Sequence, residues 1–288
     1  MQAPAKARLL LVLITVIWGS TFPLSKMVLA QLPPFYYLSI RYGLATLIML
    51  ALFRRSVSAS WKSTWHYSLP IGIVLGLAYL GQTAGIDFTT ASKAGFLTGL
   101  SVVLVPLLQA LWTKRLPSML SMGSAGIATL GLALLSNLFS EHVDLNNGDM
   151  MVLFSAVMFA FHILLWDRLP SNQVRETVVC QQFLVTALIS LALGLATETW
   201  PMQGVTLPVV GIVLFLCLIA TVFAYIGQSW AQQHLSATNT ALILILEPVF
   251  SALFSWAWLN EQLGMLGWLG ALCIVGGMVA SSMEPSST

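Results

Sequence analysis

Charge is what this sequence has least of. Of its 288 residues only 8% are Asp, Glu, Lys or Arg, where a water-soluble domain carries roughly a quarter. That scarcity excludes an ordinary soluble fold. Cysteine is scarce too: Cys180, Cys217 and Cys273 lie in separate apolar runs, and an odd number of such thiols makes no disulfide framework. They read as packing residues. The sequence has no Walker loop, no GxSxG, no HExxH and no Cys/His metal spacing, which argues against ATP hydrolysis, against an intramembrane enzyme and against any cofactor. The basic residues are scattered, so nothing supports nucleic-acid binding. Long polar connections are absent as well; the longest, Ser140 to Gly148, is too short to fold alone, and "EPSST" at the end reads as a polar tail.

What fills the chain is apolar sequence, 58% of the total. A bilayer core takes about 20 apolar residues per helix. Ten such runs are present, at 9–30, 34–53, 67–87, 93–113, 119–138, 149–167, 176–197, 207–231, 237–258 and 264–283. An outer-membrane barrel would instead show alternation in runs of about ten. The first run resembles a secretory signal, but its length and the nine that follow favour an uncleaved helix. With the N-terminus inside, nine of the twelve basic residues fall on inner loops and ends: Lys6, Arg8, Arg54, Arg55, Lys62, Lys114, Arg115, Arg168 and Arg175. The outer connections carry Asp87, Glu141, Asp144, Asp149, Glu198 and Glu261. The positive-inside rule then predicts a multi-pass protein of the cell (inner) membrane with cytoplasmic N- and C-termini.

The segment "AYLGQ" at 78–82 recurs as "AYIGQ" at 224–228, and at the same offset Ala91 matches Ala237 and Trp112 matches Trp258. Pro106 and Pro248 depart from that offset by four residues, about one helical turn. Two five-helix units follow, residues 1–140 and 141–288. Because five is odd, the second enters the membrane from the opposite side. The expected fold is an all-α polytopic membrane protein, ten transmembrane helices in two inverted five-helix repeats. Such repeats hold a midplane site between their halves in secondary transporters; duplication for structural reasons alone is the other reading.

In order along the chain stand "WGSTFPLSK" (18–26), "RYG" (41–43), "TTASKAGFLTGLSVVLVPLL" (89–108), "LILEPVFSALFSW" (244–256) and "LNEQLGMLGWLGALCIVGG" (259–277). Together they resemble EamA-type members of the drug/metabolite transporter superfamily over essentially the whole chain. The resemblance implies small-solute transport, since that family's members are mostly exporters of amino acids and other metabolites.

Ionisable residues inside spans are costly, about 2.5–3.5 kcal/mol even on the mildest scale, so each needs a partner or a wet cavity. Glu247 stands halfway along the ninth span beside Pro248, which kinks a helix. It reads as a proton, cation or amine site, or as a brace for the kink. Arg41 reads as a clamp for a substrate carboxylate, or as a snorkelling or paired structural residue. Lys26 and Lys93, explained singly by snorkelling, together with Arg41 suggest an outer vestibule attracting anions. On the first helix Trp18, Thr21, Phe22 and Ser25 form one stripe beside Gly19 and Pro23, fit either to line a passage or to pack tightly. Tyr79 and Gln82 in the third helix and Tyr225 and Gln228 in the eighth are candidates for hydrogen bonding a polar solute, with Trp18, Phe96 and Trp230 as apolar or cation–π walls. The same stripes also suit interhelical hydrogen bonds. His162 is a candidate proton relay or a packing residue.

The functional expectation is a secondary transporter that exports small metabolites such as amino acids by alternating access, with proton coupling at Glu247. Two alternatives stand beside it: a flippase for a lipid-linked or anionic head group, and a membrane sensor or scaffold that moves nothing. The expected partners are a small-molecule substrate and the lipid bilayer. Gly123, Gly126, Gly267 and Gly270 offer small-residue spacings for scaffold contacts or for a homodimer.

Overall fold

The computed structural model describes residues 3–114, 118–135, 146–200, 204–262 and 264–282, and among them every regular element is helical. In chain order these are α1 (Ala3–Leu29), α2 (Pro34–Leu52), α3 (Arg54–Phe88), α4 (Ala91–Gly99), α5 (Ser101–Thr113), α6 (Met119–Leu135), α7 (Asn147–Asp167), α8 (Arg175–Thr197), α9 (Leu207–Cys217), a π-helical turn (Leu218–Phe223), α10 (Ala224–Ala231), α11 (Ala237–Leu244), α12 (Glu247–Leu259) and α13 (Met265–Ser282). A hydrocarbon medium offers backbone amides no water, so only self-satisfied helices or closed barrels cross it. Eight segments are long and apolar enough to do so, counting α4–α5, α9–π–α10 and α11–α12 as one each. The shorter apolar helices α6 and α13 pack on each other and complete the ten.

One expectation is corrected by α3. The stretch 54–66, read as a connection, is helical, and α3 runs 35 residues, about 52 Å at 1.5 Å per residue. Its extension is held by α8: Ser60 and Thr177 share a 2.7 Å hydrogen bond, while Gln181 accepts from Thr64 (2.8 Å) and donates to the Trp61 carbonyl (2.7 Å). Paired polar groups on facing helices keep the chain helical ahead of the continuous apolar run that begins at residue 67. Arg115, Glu141, Asp144, the C-terminal tail and the expected repeat boundary at 140/141 lie outside the described residues.

The 146-residue offset of the sequence recurs as geometry. Thr90 caps α4 by accepting from Lys93 N, and Ser236 caps α11 by accepting from Asn239 N. The fourth membrane segment breaks at Leu100 and the ninth at Ile245–Leu246. Both end on left-handed residues, Lys114 (φ 56°) and Asn260 (φ 55°), the two non-glycine residues with positive φ among those described. The two breaks cross where glycine removes the side chain: a Cβ on Gly99 would stand 2.5 Å from Pro248 Cγ, and one on Gly95 2.5 Å from Ser251 Oγ. Proline explains only one of them. Pro248 opens α12, but Pro106 lies inside α5, six residues beyond the break. The offset partner of Pro248 is Val102, and the first break forms at Gly99 instead, a weak helix former.

Elsewhere glycine sets helix spacing. A Cβ on Gly85 of α3 would come 2.6 Å from the Gly148 carbonyl of α7, and one on Gly131 of α6 2.6 Å from the Gly270 carbonyl of α13. Gly123 and Gly126 have nothing within 4 Å. Overpacking costs about 1–3 kcal/mol, so Gly85→Ala should lower the thermal midpoint in detergent by several degrees, roughly as that cost dictates. Gly123→Ala should leave it unchanged or slightly raised, because alanine favours a helix.

Candidate functional site

At one end of the bundle, polar side chains close the helix termini. Glu198, at the end of α8, accepts from the N–H groups of Phe35 (2.9 Å) and Tyr36 (2.9 Å) at the start of α2. Glu261 accepts from Ala91 N and Ser92 N (both 3.1 Å) and from the Ser92 hydroxyl at the start of α4. Carboxylates there satisfy orphan amides and complement the helix dipole. Lys26 donates to the carbonyls of Ile86 (3.4 Å) and Thr89 where α3 ends. Asp149, fully buried, forms a capping box with Asn146 and also receives Thr89 Oγ1 at 2.7 Å and Lys93 Nζ at 2.6 Å.

The expected anion-attracting vestibule is therefore not what these cations build: Lys26 is spent on carbonyls and Lys93 on Asp149. Removing Asp149 would take the ion pair from Lys93 and the acceptor from the Asn146 N–H and the Thr89 hydroxyl. Asp149→Ala should cost about 2–3 kcal/mol, less than for a fully buried pair because the Lys93 side chain keeps 25% exposure. Thermal unfolding beside Asp149→Asn, which retains part of the cap, checks this.

The interior holds a small cavity between the two halves, about 40 Å³ in volume. At 10–15 Å³ per water site it has room for a few waters, not for an amino acid. Each broken segment contributes its elbow: Thr98, Gly99, Ser101 and Val102 from the fourth, Leu244 and Glu247 from the ninth. Glu247 is the first residue of α12. Among the described residues its carboxylate accepts no hydrogen bond, and it borders the cavity directly.

The recurring "AYxGQ" segments meet in this chamber. Tyr225 donates to Tyr79 through a 2.9 Å hydrogen bond between residues 146 positions apart, so the pseudo-two-fold axis of the repeats passes between the two phenols. Gln82 donates to Thr98 Oγ1 at 3.1 Å, and Gln228 faces the same space. From α1, Trp18 and Thr21 reach the cavity. The Trp18 indole donates to the Ala220 carbonyl at 2.8 Å, inside the π-helical turn, and its ring lies 5.3 Å from that of Tyr225. Such π turns are rare and cluster at functional sites.

On α7, Phe159, His162 and Ile163 close the wall. His162 Nε2 is 3.0 Å from Gln182 Oε1, and the Trp166 indole lies 3.1 Å from His162 Nε2 and 3.2 Å from Gln182 Oε1. With the His162 proton on Nε2, the Gln182 oxygen accepts both N–H groups, while Gln182 Nε2 has no partner among the described residues.

Four candidates lie elsewhere. Phe22 and Phe96 are buried in the apolar core. Trp230 stacks edge-on against His234, ring centroids 4.8 Å apart. Arg41 is buried at 2% exposure: Nε donates to Thr221 Oγ1 at 2.7 Å and Nη1 to the Tyr37 hydroxyl at 3.1 Å, while Nη2 has no partner among the described residues. Its guanidinium carbon is 5.4 Å from the Tyr79 ring centroid and 5.5 Å from that of Tyr42.

The α1 stripe thus splits. Trp18 and Thr21 face the chamber, Phe22 packs, and Ser25 bonds to the Tyr37 hydroxyl at 3.1 Å. Gly19 seats α1 against the backbone of Phe250 and Ser251, which is the tight-packing reading, and α1 stays unbroken through Pro23. Thr98, Ser101, Phe159, Ile163 and Leu244 were missed. Thr98-Gly-Leu-Ser101 carried the one available signal, small polar residues flanking a glycine at mid-span.

Inverted helical repeats, two crossing broken helices and a chamber with polar side chains between them are the architecture of a membrane transporter. The model of the EamA-like transporter family matches residues 5–137 and again 146–283, and the chain belongs to that family. It is 31% identical over 277 residues to an uncharacterized transporter of Archaeoglobus fulgidus, covering 95% of this chain and 85% of that protein. It is 23% identical over 285 residues to the uncharacterized transporter YoaV of Bacillus subtilis, covering 95% of each. A crystal structure of a protein 17% identical in sequence superposes with a TM-score of 0.78 over 97% of both chains, a likeness of fold. Among the described residues no group of His, Cys, Asp and Glu is arranged to hold a metal ion.

Proposed function

We propose that this protein is a secondary transporter that exports small metabolites, amino acids among them, across the cell (inner) membrane by alternating access, with Glu247 coupling export to protons. The observation that supports the reading is the convergence of repeat-related groups, Tyr79 with Tyr225 and Gln82 with Gln228, on one chamber with Glu247 at a helix break. Trp18, Thr21 and His162 complete the wall. The chamber is too small for an amino acid as it stands, so the solute enters when one end of the bundle opens.

The distribution of basic residues supports cytoplasmic termini by the positive-inside rule, and on that reading the Glu198, Glu261 and Lys93–Asp149 contacts lie at the outer end. The flippase reading was motivated by Lys26, Arg41 and Lys93, and those cations are all engaged by protein groups. The test is counterflow in proteoliposomes with labelled solutes, chosen by thermal stabilisation of the purified protein from a panel of amino acids, amines, nucleosides and organic acids. Saturable exchange of any hit supports transport. Binding of several solutes with no exchange would make the protein a sensor.

A further inference from the structure

The transporter reading carries a more specific consequence for what the chamber takes. Among the described residues its wall holds one carboxylate, Glu247, and neither lysine nor arginine. Arg41, the cation beyond the Tyr79 ring, bonds to Thr221 and Tyr37 and does not line the cavity. Gln82, also in the wall, donates through its amide nitrogen to Thr98 and accepts no hydrogen bond on its carbonyl oxygen among the described residues. Around these stand the rings of Trp18, Tyr79, Phe159 and Tyr225, with centroids 5.3 Å apart for Trp18–Tyr225 and 5.2 Å for Tyr79–Phe159. Electron-rich faces attract cations, and the Glu247 carboxylate, which accepts no hydrogen bond among the described residues, is open to a donor from the solute.

We propose that the chamber is an ammonium site: a protonated amine sits on Glu247, the aromatic faces surround it, and Gln82 takes a second N–H. A carboxylate on the same solute meets no basic residue in the wall and pays its desolvation uncompensated. Amines should therefore bind better than the amino acids that share their carbon skeleton.

Three probes with one skeleton test this: 3-methylbutylamine, leucine and 4-methylpentanoate. The expected result is stabilisation of the purified protein by the amine at a concentration at least about tenfold below that needed for leucine, with no effect of 4-methylpentanoate. Glu247→Asp should keep the amine's effect in part and Glu247→Gln should lose it. Because both variants have their own unliganded midpoint, misfolding is recognised separately from lost binding. Equal or tighter binding of leucine or 4-methylpentanoate, undiminished amine binding by Glu247→Gln, or no stabilisation by the amine at all would overturn the ammonium site. Flux of other solutes through the parent would in that case leave the transporter reading standing. Amine binding without flux of any solute would do the reverse.

Discussion

Glu247→Gln is expected to abolish proton-driven flux, by about 100-fold or more, in a protein that folds as the parent does. Glutamine matches glutamate in size. No hydrogen bond among the described residues depends on the carboxylate, so the exchange orphans no donor, and its cost in stability should stay within about 1 kcal/mol. What it removes is the carboxylic acid that the described residues place on the cavity wall. The titratable groups facing it are Tyr79 and Tyr225, joined to each other, and His162, tied to Gln182.

The sign of the pH dependence follows. An ionised Glu247 holds a cation and a protonated one releases it, so acidifying the loading side should slow flux in the parent. The glutamine variant should show no such dependence. Uptake into proteoliposomes with an imposed pH difference, read beside size-exclusion profiles of both proteins, measures it. Gradient-driven transport by the glutamine variant at the parent's rate would remove Glu247 from the mechanism.

Arg41→Met is expected to stabilise the fold and to cripple transport. Among the described residues no carboxylate lies within 4.0 Å of this buried guanidinium, so its desolvation is offset only by two hydrogen bonds and the faces of Tyr42 and Tyr79. Replacing buried charge by an apolar side chain of similar length commonly gains about 1–4 kcal/mol. Thr221 keeps its bond to the Leu216 carbonyl at 2.8 Å, and Tyr37 keeps Ser25. A residue retained against such a cost is a candidate for function.

The function suggested by the geometry is mechanical. Arg41 ties α2 to the π-helical turn at Thr221, while Trp18 ties α1 to the same turn at Ala220. Movement of that turn reaches both helices and the Tyr79–Tyr225 pair. A gain of several degrees in thermal midpoint with flux down at least tenfold, roughly 1.4 kcal/mol in the barrier, is the expected outcome. A less stable protein with normal flux would make Arg41 a structural residue only.

Much of this was legible beforehand, and the residues say why. Long apolar runs have one solution in a bilayer, and two "AYxGQ" segments 146 positions apart announce a duplication. Eight of the twelve candidate side chains line the chamber, because polar groups at mid-span are confined to protein-lined space. Phe22, Phe96 and Trp230 were indistinguishable from core aromatics, and helical spacing does not tell a wall from a packed face. Lys26 and Lys93 were misread for a related reason. Their partners, the Thr89 carbonyl and Asp149, lie 63 and 56 positions away, and a linear pattern carries no distance between segments.

Sequence alone determined the membrane class, the helices and the inverted repeat, since each rests on local hydrophobicity or on identity at a fixed offset. Tertiary structure alone decided where the fourth helix breaks, which face of each polar stripe meets the chamber and which cations are already spent. Those outcomes depend on side chains from distant helices competing for the same few ångströms, and that competition is settled only when the two halves pack.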